Sequence, residues 1–277
     1  MPSPLLKTYL FLSCFLLSTH LAFSQAARPG SDNAGKYYTS FDGTKIYYEV
    51  RGEGQPILLI HGFRNTMANW KNKILYQDLI NKGFKVVVLD MRGNGKSDKP
   101  PTVAGYQQDA EAKDLMGLAS DLGFNNYQVA GYSRGAIITA RLLVLDKRIT
   151  KAILGGMGEA FTNPNWPRRV ALLKGMNGKE NTAEYEQFVK SVQEQNLDLQ
   201  QLTFQQQGQP FTAAAELAKV NIPVLVIAGD ADNDNGSAEA LAQLLPRATV
   251  KRTPGVHNTA WQSPEFAQAV LTFLQRE

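Results

Sequence analysis

Short apolar runs recur along the chain, and each is followed by a polar or glycine-containing loop. Five runs have the length of a buried strand: PILLI, KVVVL, YQVA, KAIL and IPVLVI, which start at residues 56, 85, 127, 151 and 222. Stretches with apolar residues at helical spacing separate several of these runs, at residues 68–81, 109–122 and 136–145. Continuous apolar strands that alternate with amphipathic helices are typical of a parallel sheet covered on both faces. The pattern therefore predicts an α/β fold.

The first and last elements frame this core. YYTSFDGTKIYYEV, residues 37–50, predicts two strands rich in aromatic and β-branched residues, joined at Asp42 and Gly43 in a sequence typical of a β-hairpin. Near the other end, ATVKRTP at residues 248–254 predicts a further strand, and residues 264–275 predict a closing helix. We therefore expect one mostly parallel sheet that begins with a hairpin.

The alternation of strands and helices stops between residues 158 and 220. A connection of that length exceeds an ordinary loop, so the segment should form an insertion with helices of its own. Glutamines are frequent near its end, in TFQQQGQP, which is also a feature of low-complexity sequence. Apolar residues are interleaved with the polar ones at Phe188, Val189, Val192, Leu197, Leu199 and Leu202. This mixture favours a packed helical cap.

Residues 1–24 have the composition of a secretory signal peptide. Lys7 is followed by a long apolar run, and Ala22 and Ser24 occupy the small-residue positions of a cleavage site. The mature chain would then begin near Gln25 and be secreted or periplasmic, as a single domain over residues 25–277. The alternative is an uncleaved membrane anchor, since the apolar run approaches the length of a bilayer span.

Composition narrows the functional classes. The chain has 277 residues, 43% of them hydrophobic, which is enough for a sizeable core. Its only cysteine, Cys14, lies in the leader, so a mature chain would hold no disulfide, thiol nucleophile or cysteine-ligated metal. The formal net charge of +4 falls to +3 when Lys7 leaves with the leader, and the basic residues are scattered along the chain. We therefore expect no nucleic-acid partner and no membrane contact beyond the leader.

The stretch GYSRGA, residues 131–136, holds the first candidate for chemistry. It ends the apolar strand YQVA and begins the helix AIITARLLVL. A strand-to-helix turn this sharp strains the backbone of its central residue, and Gly131 and Gly135 leave out side chains that would collide. The turn would lift the Ser133 hydroxyl to the carboxyl edge of the sheet, where loops bind ligands. This context favours Ser133 as a catalytic nucleophile over a serine in an ordinary glycine-rich turn.

A serine hydroxyl is a weak nucleophile at neutral pH and needs a base. The chain has three histidines, and His20 would leave with the leader. His61 follows the strand PILLI, where its imidazole would brace the loop by hydrogen bonds. His257, in TPGVHNTA, lies between the last strand and the last helix. Elimination therefore assigns the base to His257, against the alternative of a solvated surface histidine.

A third group must fix the tautomer of the imidazole and stabilise its protonated form. IPVLVIAGDADND offers Asp230, Asp232 and Asp234 just beyond a buried strand. We predict that Asp232 is this carboxylate, that Asp230 braces the turn and that Asp234 faces solvent. The resulting order along the chain is Ser133, Asp232, His257, as in α/β-hydrolases.

Together these motifs resemble the α/β-hydrolase superfamily over nearly the whole mature chain. HGF, DMRGNGKSDKP, GYSRGA, GDAD and GVHN are similar to its successive signature loops, in the same order. The resemblance implies a hydrolase core with a helical cap inserted over residues 158–220. It also implies that residues 90–98 form a structural loop beside the site rather than a phosphate-binding loop. A serine at position 133 disfavours the dehalogenase and epoxide-hydrolase branches, which use an aspartate there.

The resemblance further implies an oxyanion hole made by two backbone N–H groups, those of Phe63 and Arg134. Such donors stabilise the negative charge of a tetrahedral intermediate. Because only main-chain atoms are needed, the Arg134 side chain would be free to anchor a carboxylate or to pack on the surface. HGFRNT lacks the Gly and Pro often seen after HGF in this family, which leaves the orientation of Arg64 open.

The sequence thus predicts an exported serine hydrolase that cleaves an ester or a related small-molecule acyl substrate, without a cofactor or a metal ion. Other serine-hydrolase chemistry is compatible with the same motifs: carbon–carbon bond hydrolysis, aminopeptidase activity or perhydrolase activity. A binding protein that kept the fold and lost turnover is an alternative from another class. Fold and triad alone do not separate these functions.

Overall fold

The computed structural model describes Met1 and residues 35–276. Apart from Met1, the predicted signal peptide and its cleavage site therefore lie outside the described residues. Among the helices of the described part, none combines the length and the apolar character that a membrane crossing requires.

Residues 35–276 contain a single mixed sheet. Its strands are β1 (Lys36–Thr39), β2 (Lys45–Arg51), β3 (Pro56–Ile60), β4 (Lys85–Leu89), β5 (Tyr127–Tyr132), β6 (Ile149–Gly155), β7 (Val224–Gly229) and β8 (Ala248–Thr253). They lie side by side in the order β1-β2-β4-β3-β5-β6-β7-β8. The pairs β1–β2, the predicted hairpin, and β2–β4 are antiparallel, and the other neighbouring pairs are parallel. The predicted α/β fold with a mostly parallel sheet is confirmed.

Helices connect the strands and cover the sheet. They are α1 (Met67–Lys71), α2 (Ile74–Asn81), α3 (Ala110–Asp121), α4 (Arg134–Leu145), α5 (Pro167–Met176), α6 (Ala183–Glu194), α7 (Leu199–Gln207), α8 (Ala214–Leu217), α9 (Ala238–Gln243) and α10 (Pro264–Gln275). The single helix expected over residues 68–81 is in fact two. Lys73 has an extended backbone, with φ −106° and ψ 149°, and this breaks the helix between α1 and α2.

The central strands are apolar at successive positions because both faces of the sheet are buried. Side chains alternate between the two faces of a strand. On one face, Leu58 and Val129 pack with residues of α3, α4 and α9. On the other face, Leu59 and Ala130 pack with residues of α1, α2 and α10. Two separate cores result, one on each side of the sheet.

Helices α5 to α8 lie between β6 and β7, where the alternation of strands and helices stops in the sequence. Helix α7 attaches to the core through buried glutamines. Asn94 Nδ2 donates to Gln205 Oε1 at 3.4 Å, and Gln205 Nε2 donates to the carbonyl of Gly93 at 3.3 Å. The Tyr106 hydroxyl donates to Gln201 Oε1 at 2.5 Å. The glutamines of this segment therefore form hydrogen bonds that attach α7 to the core.

The turn between β5 and α4 brings two backbone segments into close contact. A β-carbon on Gly131 would lie 2.2 Å from the carbonyl oxygen of Gly135. A β-carbon on Gly135 would lie 2.3 Å from the carbonyl oxygen of Ile60, at the end of β3. Both distances are far shorter than a van der Waals contact. The carbonyl oxygens belong to the backbone and have little freedom to move away. Glycine is therefore required at both positions for the turn to form.

Gly135→Ala should lower the free energy of unfolding by about 3 kcal/mol or more, because the added methyl group forces β3 and α4 apart. Gly178→Ala is the matched control. Gly178 also lies outside a strand, its φ is 67°, and a β-carbon there meets no atom within 4 Å. Gly178→Ala should lower the free energy of unfolding by about 1 kcal/mol, the cost of a positive φ for a residue with a β-carbon. Denaturant unfolding of both variants measures the difference, and equal losses would contradict the close-contact explanation.

Candidate active site

Ser133 lies in the turn between β5 and α4, at the carboxyl edge of the sheet. Its backbone has φ 57° and ψ −125°, a conformation that costs a non-glycine residue about 1–3 kcal/mol. Its N–H donates to the carbonyl of Gly155 at 2.8 Å, which ties the turn to the end of the neighbouring strand β6. The strained turn thus holds the serine at the edge where the loops after the parallel strands meet.

His257 lies in the loop between β8 and α10, and both of its ring nitrogens have a partner. Nε2 is 2.9 Å from Ser133 Oγ, and Nδ1 is 2.9 Å from Asp232 Oδ2. Tyr132 holds this loop, because its hydroxyl donates to the His257 carbonyl at 2.8 Å and the two rings lie 5.5 Å apart. A proton on Nδ1 satisfies the carboxylate and leaves Nε2 as the acceptor that faces the serine.

Of the three aspartates after β7, the structure brings Asp232 to the imidazole. Its side chain is buried, with a relative exposure of 4% for the residue. Asp230 accepts a hydrogen bond from the N–H of Gly255 at 2.9 Å and so braces the loop that carries His257. Asp234 is exposed. Each aspartate therefore lies where the sequence predicted it.

Asn235 is a neighbour of the imidazole that the sequence did not identify. Its Nδ2 donates to the carbonyl of Gly156 at 3.2 Å and lies 3.4 Å from His257 Nδ1. The residue is buried. Asparagine has no sequence signature at this position, and its contact with a histidine 22 residues away appears only after folding.

The two predicted oxyanion donors lie on either side of the serine. The loop after β3 passes close to it, since a β-carbon on Gly62 would lie 3.2 Å from Ser133 Cβ. Phe63 follows in this loop, and Arg134 begins α4, where the first N–H groups of a helix have no partner inside it. Among the backbone hydrogen bonds of residues 35–276, none comes from the N–H of Phe63 or Arg134. Both residues line the same cavity as Ser133.

The side chain of Arg134 is not free, contrary to the expectation from the sequence. It is buried and forms a bidentate ion pair with Glu111 of α3, with nitrogen–oxygen distances of 2.8 and 2.6 Å. It also donates to the carbonyl of Gln205 in α7 at 2.9 Å. This guanidinium therefore joins the turn that carries Ser133 to the core and to the inserted helices. It neither anchors a substrate nor packs on the surface.

His61 and the loop at residues 90–98 are structural, as the sequence predicted. His61 Nδ1 donates to the carbonyl of Gly62 at 2.9 Å, and its Nε2 accepts from the N–H of Met91 at 3.0 Å. Burial lowers the pKa of this imidazole, which keeps it neutral at neutral pH. The Asp90 carboxylate accepts from the N–H groups of Met67 and Lys96, at 2.8 and 2.9 Å. These bonds hold the loops beneath the site.

Two cavities meet at the serine. Both are lined by Phe63, Ser133, Arg168 and His257. One has a volume of about 130 Å³ and extends along α4 and α5; its further walls include Ile137, Met157, Trp166, Arg169 and Leu172. The other has a volume of about 250 Å³ and extends along the histidine loop; its further walls include Arg64, Tyr132, Asn258 and Trp261. A bound molecule can therefore extend from Ser133 in two directions.

Asp232, Asp234 and His257 also form the one cluster in the described residues whose oxygen and nitrogen atoms are close enough to share a cation, within 4.8 Å of one another. Nδ1 of His257 lies 2.9 Å from Asp232 Oδ2, and a hydrogen bond between them requires a proton on Nδ1 when the carboxylate is ionised. A protonated nitrogen has no lone pair for a metal. The geometry therefore suits a hydrogen-bonded catalytic triad better than a metal site.

Comparisons with known proteins agree with this fold. A family model described as the alpha/beta hydrolase fold matches residues 55–179. A non-heme haloperoxidase of Rhodococcus erythropolis is 26% identical over 276 residues, which cover 86% of this chain and 99% of the relative. Epoxide hydrolase 2 of Siraitia grosvenorii is 29% identical over 99 residues, but the match covers only 36% of this chain and 31% of that relative.

A solved structure resembles the whole described fold. The esterase of Exiguobacterium antarcticum has a TM-score of 0.72 and 21% sequence identity, covering 88% of this chain and 100% of that chain. This likeness concerns the fold. Taken with the strand order, the serine turn and the matching family model, it leads to one conclusion: the chain has the α/β-hydrolase fold.

Proposed function

We propose that the protein is a serine hydrolase that cleaves a carboxylic ester through an acyl-enzyme. One observation carries the proposal: Ser133, His257 and Asp232 form a continuous hydrogen-bonded chain, with both contacts at 2.9 Å, at the junction of two cavities. The three side chains come from three different loops. Their alignment serves no evident purpose in packing, whereas it meets each geometric requirement of a catalytic triad.

In the first half of the reaction, Ser133 Oγ attacks the carbonyl carbon of the ester while His257 Nε2 accepts the hydroxyl proton. The carbonyl oxygen becomes an oxyanion in the tetrahedral intermediate. The N–H groups of Phe63 and Arg134 are the donors for this charge, and each such donor lowers the barrier by about 3 kcal/mol. His257 then gives its proton to the leaving oxygen, the carbon–oxygen bond breaks, and the alcohol departs.

In the second half, water attacks the acyl-enzyme. His257 accepts a proton from the water, a second tetrahedral intermediate forms, and the bond to Ser133 Oγ breaks as the serine recovers its proton. The products are the free acid and the alcohol. Asp232 stays ionised throughout; it holds the Nδ1–H tautomer and stabilises the imidazolium that forms in each half.

Serine at position 133 separates this proposal from epoxide hydrolysis, despite the relatives with that name. The epoxide-hydrolase branch uses an aspartate as its nucleophile, so that water can later attack the carboxyl carbon of the ester intermediate. A serine that opened an epoxide would form an ether, which a triad does not hydrolyse. An acyl substrate is therefore the chemistry that suits Ser133.

A second candidate activity follows from the haloperoxidase name of the relative that aligns over 86% of this chain. If hydrogen peroxide replaces water as the attacking group, the acyl-enzyme yields a peroxycarboxylic acid and free serine. A peroxycarboxylic acid oxidises halide ions. The same three residues would then support halogenation without any additional group on the protein.

We also propose that the protein is exported and begins near Gln25 after cleavage. Support comes from the sequence, namely the apolar run after Lys7 and the small residues Ala22 and Ser24. Export agrees with a mature chain that holds no cysteine.

Asp232→Asn should lower kcat for a 4-nitrophenyl ester by about four orders of magnitude, because an amide favours the wrong imidazole tautomer. Ser133→Ala should be at least as inactive and should lose labelling by a fluorophosphonate probe. Asp230→Asn is the matched control. Its Oδ1 can still accept from Gly255, so kcat should stay within about tenfold of the wild type. The assignment within this loop fails if Asp230→Asn is the inactive variant, and the nucleophile assignment fails if Ser133→Ala retains more than about a hundredth of wild-type activity.

Peroxide should compete with water for the acyl-enzyme if the second candidate is correct. Addition of hydrogen peroxide to the enzyme with an ester should then produce peroxycarboxylic acid, measured as bromination of a dye in the presence of bromide. Ser133→Ala is the control, since bromination that survives this variant does not pass through an acyl-enzyme. Unchanged yields of free acid with no bromination would leave hydrolysis as the activity.

Intact-mass and N-terminal analysis of the protein produced by its native host tests export. We expect a chain that begins near Gln25. A chain that still carries residues 1–24 would favour the membrane anchor instead.

A further inference from the structure

Two groups of arginines stand out among the described residues. Those of the first group form ion pairs with carboxylates at 2.6–2.9 Å: Arg92, Arg134, Arg141, Arg148 and Arg252. Those of the second group line the cavities around Ser133, and none of them forms a salt bridge within residues 35–276: Arg64, Arg168 and Arg169. Three arginines without a salt bridge therefore line the cavities around Ser133, whose walls also include Asp234 and Glu184.

Two of these arginines have only neutral hydrogen-bond acceptors. Arg64 Nη1 donates to the Ser191 hydroxyl at 2.5 Å. Arg168 Nη1 donates to the backbone carbonyl of Asp234 at 3.1 Å and to Asn235 Oδ1 at 2.9 Å. A guanidinium has five N–H groups, so both retain donors for a ligand.

Arg169 is the least satisfied of the three. Its Nη2 donates to the carbonyl of Gln206 at 3.0 Å, but its Nε is buried and has no hydrogen-bond partner in the described part of the chain. Burial, and secondarily the charge of Arg134, lower the pKa of Arg169. A half-buried cation with an unpaired N–H is costly unless an anion binds beside it.

The two cavities at Ser133 can be assigned to the two halves of an ester. The leaving oxygen must lie near His257 Nε2, which protonates it, so the alcohol extends into the cavity along the histidine loop, past Asn258. The acyl group then occupies the cavity along α4 and α5. That cavity holds about 130 Å³, so it accepts only a short chain, and Arg169 is in its wall.

We propose that the substrate is an ester of a short acid that carries a second carboxylate at the far end of its acyl chain, and that Arg169 binds this carboxylate. The inference rests on the serine-hydrolase function proposed above. Ile137, Met157 and Leu172 line the same cavity and would contact the methylene groups between the two carboxyl carbons. Nη1 of Arg169 has no hydrogen-bond partner within residues 35–276, and Nη1 and Nη2 together form the planar pair of donors that fits a carboxylate.

The positive charges of Arg64 and Arg168 would attract the same anionic substrate to the cavities. Both line the wider outer cavity with Phe188, where the acidic residue in the wall is Glu184. A cleft with a surplus of positive charge raises the local concentration of anions and speeds their association. The carboxylate would thus be drawn past two arginines before it reaches the third.

Monoethyl glutarate and ethyl pentanoate test the proposal, because they differ only in a carboxylate in place of the terminal methyl group. Ethanol release measures kcat/KM for each ester. The wild type should prefer monoethyl glutarate. Arg169→Gln should lower the ratio of kcat/KM for monoethyl glutarate to kcat/KM for ethyl pentanoate by about ten- to a hundredfold. This is the effect of losing a charged hydrogen-bond donor. Arg169→Lys keeps the charge without the planar pair of donors and should recover part of the ratio.

Arg247→Gln is the control for loss of one positive charge. Arg247 is exposed at the beginning of β8, at the edge of the sheet opposite to Ser133, so this variant should leave the ratio unchanged. A wild type that shows no preference, or a ratio that Arg169→Gln does not lower, would overturn the proposal.

Calorimetric titration with glutarate separates this inference from the proposed function, because binding needs no turnover. Glutarate should bind to the wild type and to Arg247→Gln, and at least tenfold more weakly to Arg169→Gln. Equal binding to all three, or no binding to the wild type, would overturn the carboxylate site even in an active esterase. If instead Ser133→Ala keeps its activity while Arg169 still controls glutarate binding, the serine mechanism fails and the carboxylate site stands.

Discussion

The architecture of this protein depends on one steric constraint: a β-carbon has no space at positions 131 and 135, two residues before and after Ser133. Gly131 and Gly135 lie against backbone carbonyl oxygens, so the chain can reverse from β5 into α4 within one residue on each side of the serine. That reversal puts strain on Ser133 itself, whose φ is positive. The surrounding strands compensate for the strain, since β3 and β6 both contact the turn. A rigid turn is what a nucleophile needs, because small displacements of reacting atoms cost much rate.

Arg134 links the turn that carries Ser133 to the inserted helices. Arg134 lines the cavity at Ser133, while its side chain binds Glu111 in α3 and the carbonyl of Gln205 in α7. A buried ion pair brings little net stability, but removal of one partner costs about 3–5 kcal/mol because the other charge is left buried. The pair therefore resists separation of α3 from the turn that carries Ser133, and the hydrogen bond to Gln205 links the same guanidinium to α7. The buried glutamines of α7 add further hydrogen bonds between this helix and the core.

Charge is distributed differently in the core and at the site. In the core, arginines such as Arg92 are paired with carboxylates, and Arg92 is entirely buried against Asp42 and Asp114. Around Ser133, Arg64, Arg168 and Arg169 meet hydroxyl, amide and carbonyl oxygens instead, whereas Arg134 is paired with Glu111. Neutral acceptors hold a guanidinium in place without cancelling its charge. A guanidinium held in this way can still attract an anion, which is what the proposed carboxylate site requires.

The order of strands and helices and the serine turn were predictable from the sequence, because each rests on local chemistry. An apolar run predicts a strand buried on both faces, and the two glycines predict a turn without space for side chains. The small number of histidines left His257 as the candidate for the imidazole beside Ser133, where the structure places it. The roles of Arg134, Asn235, Gln205 and Arg169 were not predictable. Each depends on a partner that is distant in the sequence, or on the absence of one. Whether a buried guanidinium meets a carboxylate or an empty cavity is decided only when the sheet, the loops and the inserted helices come together.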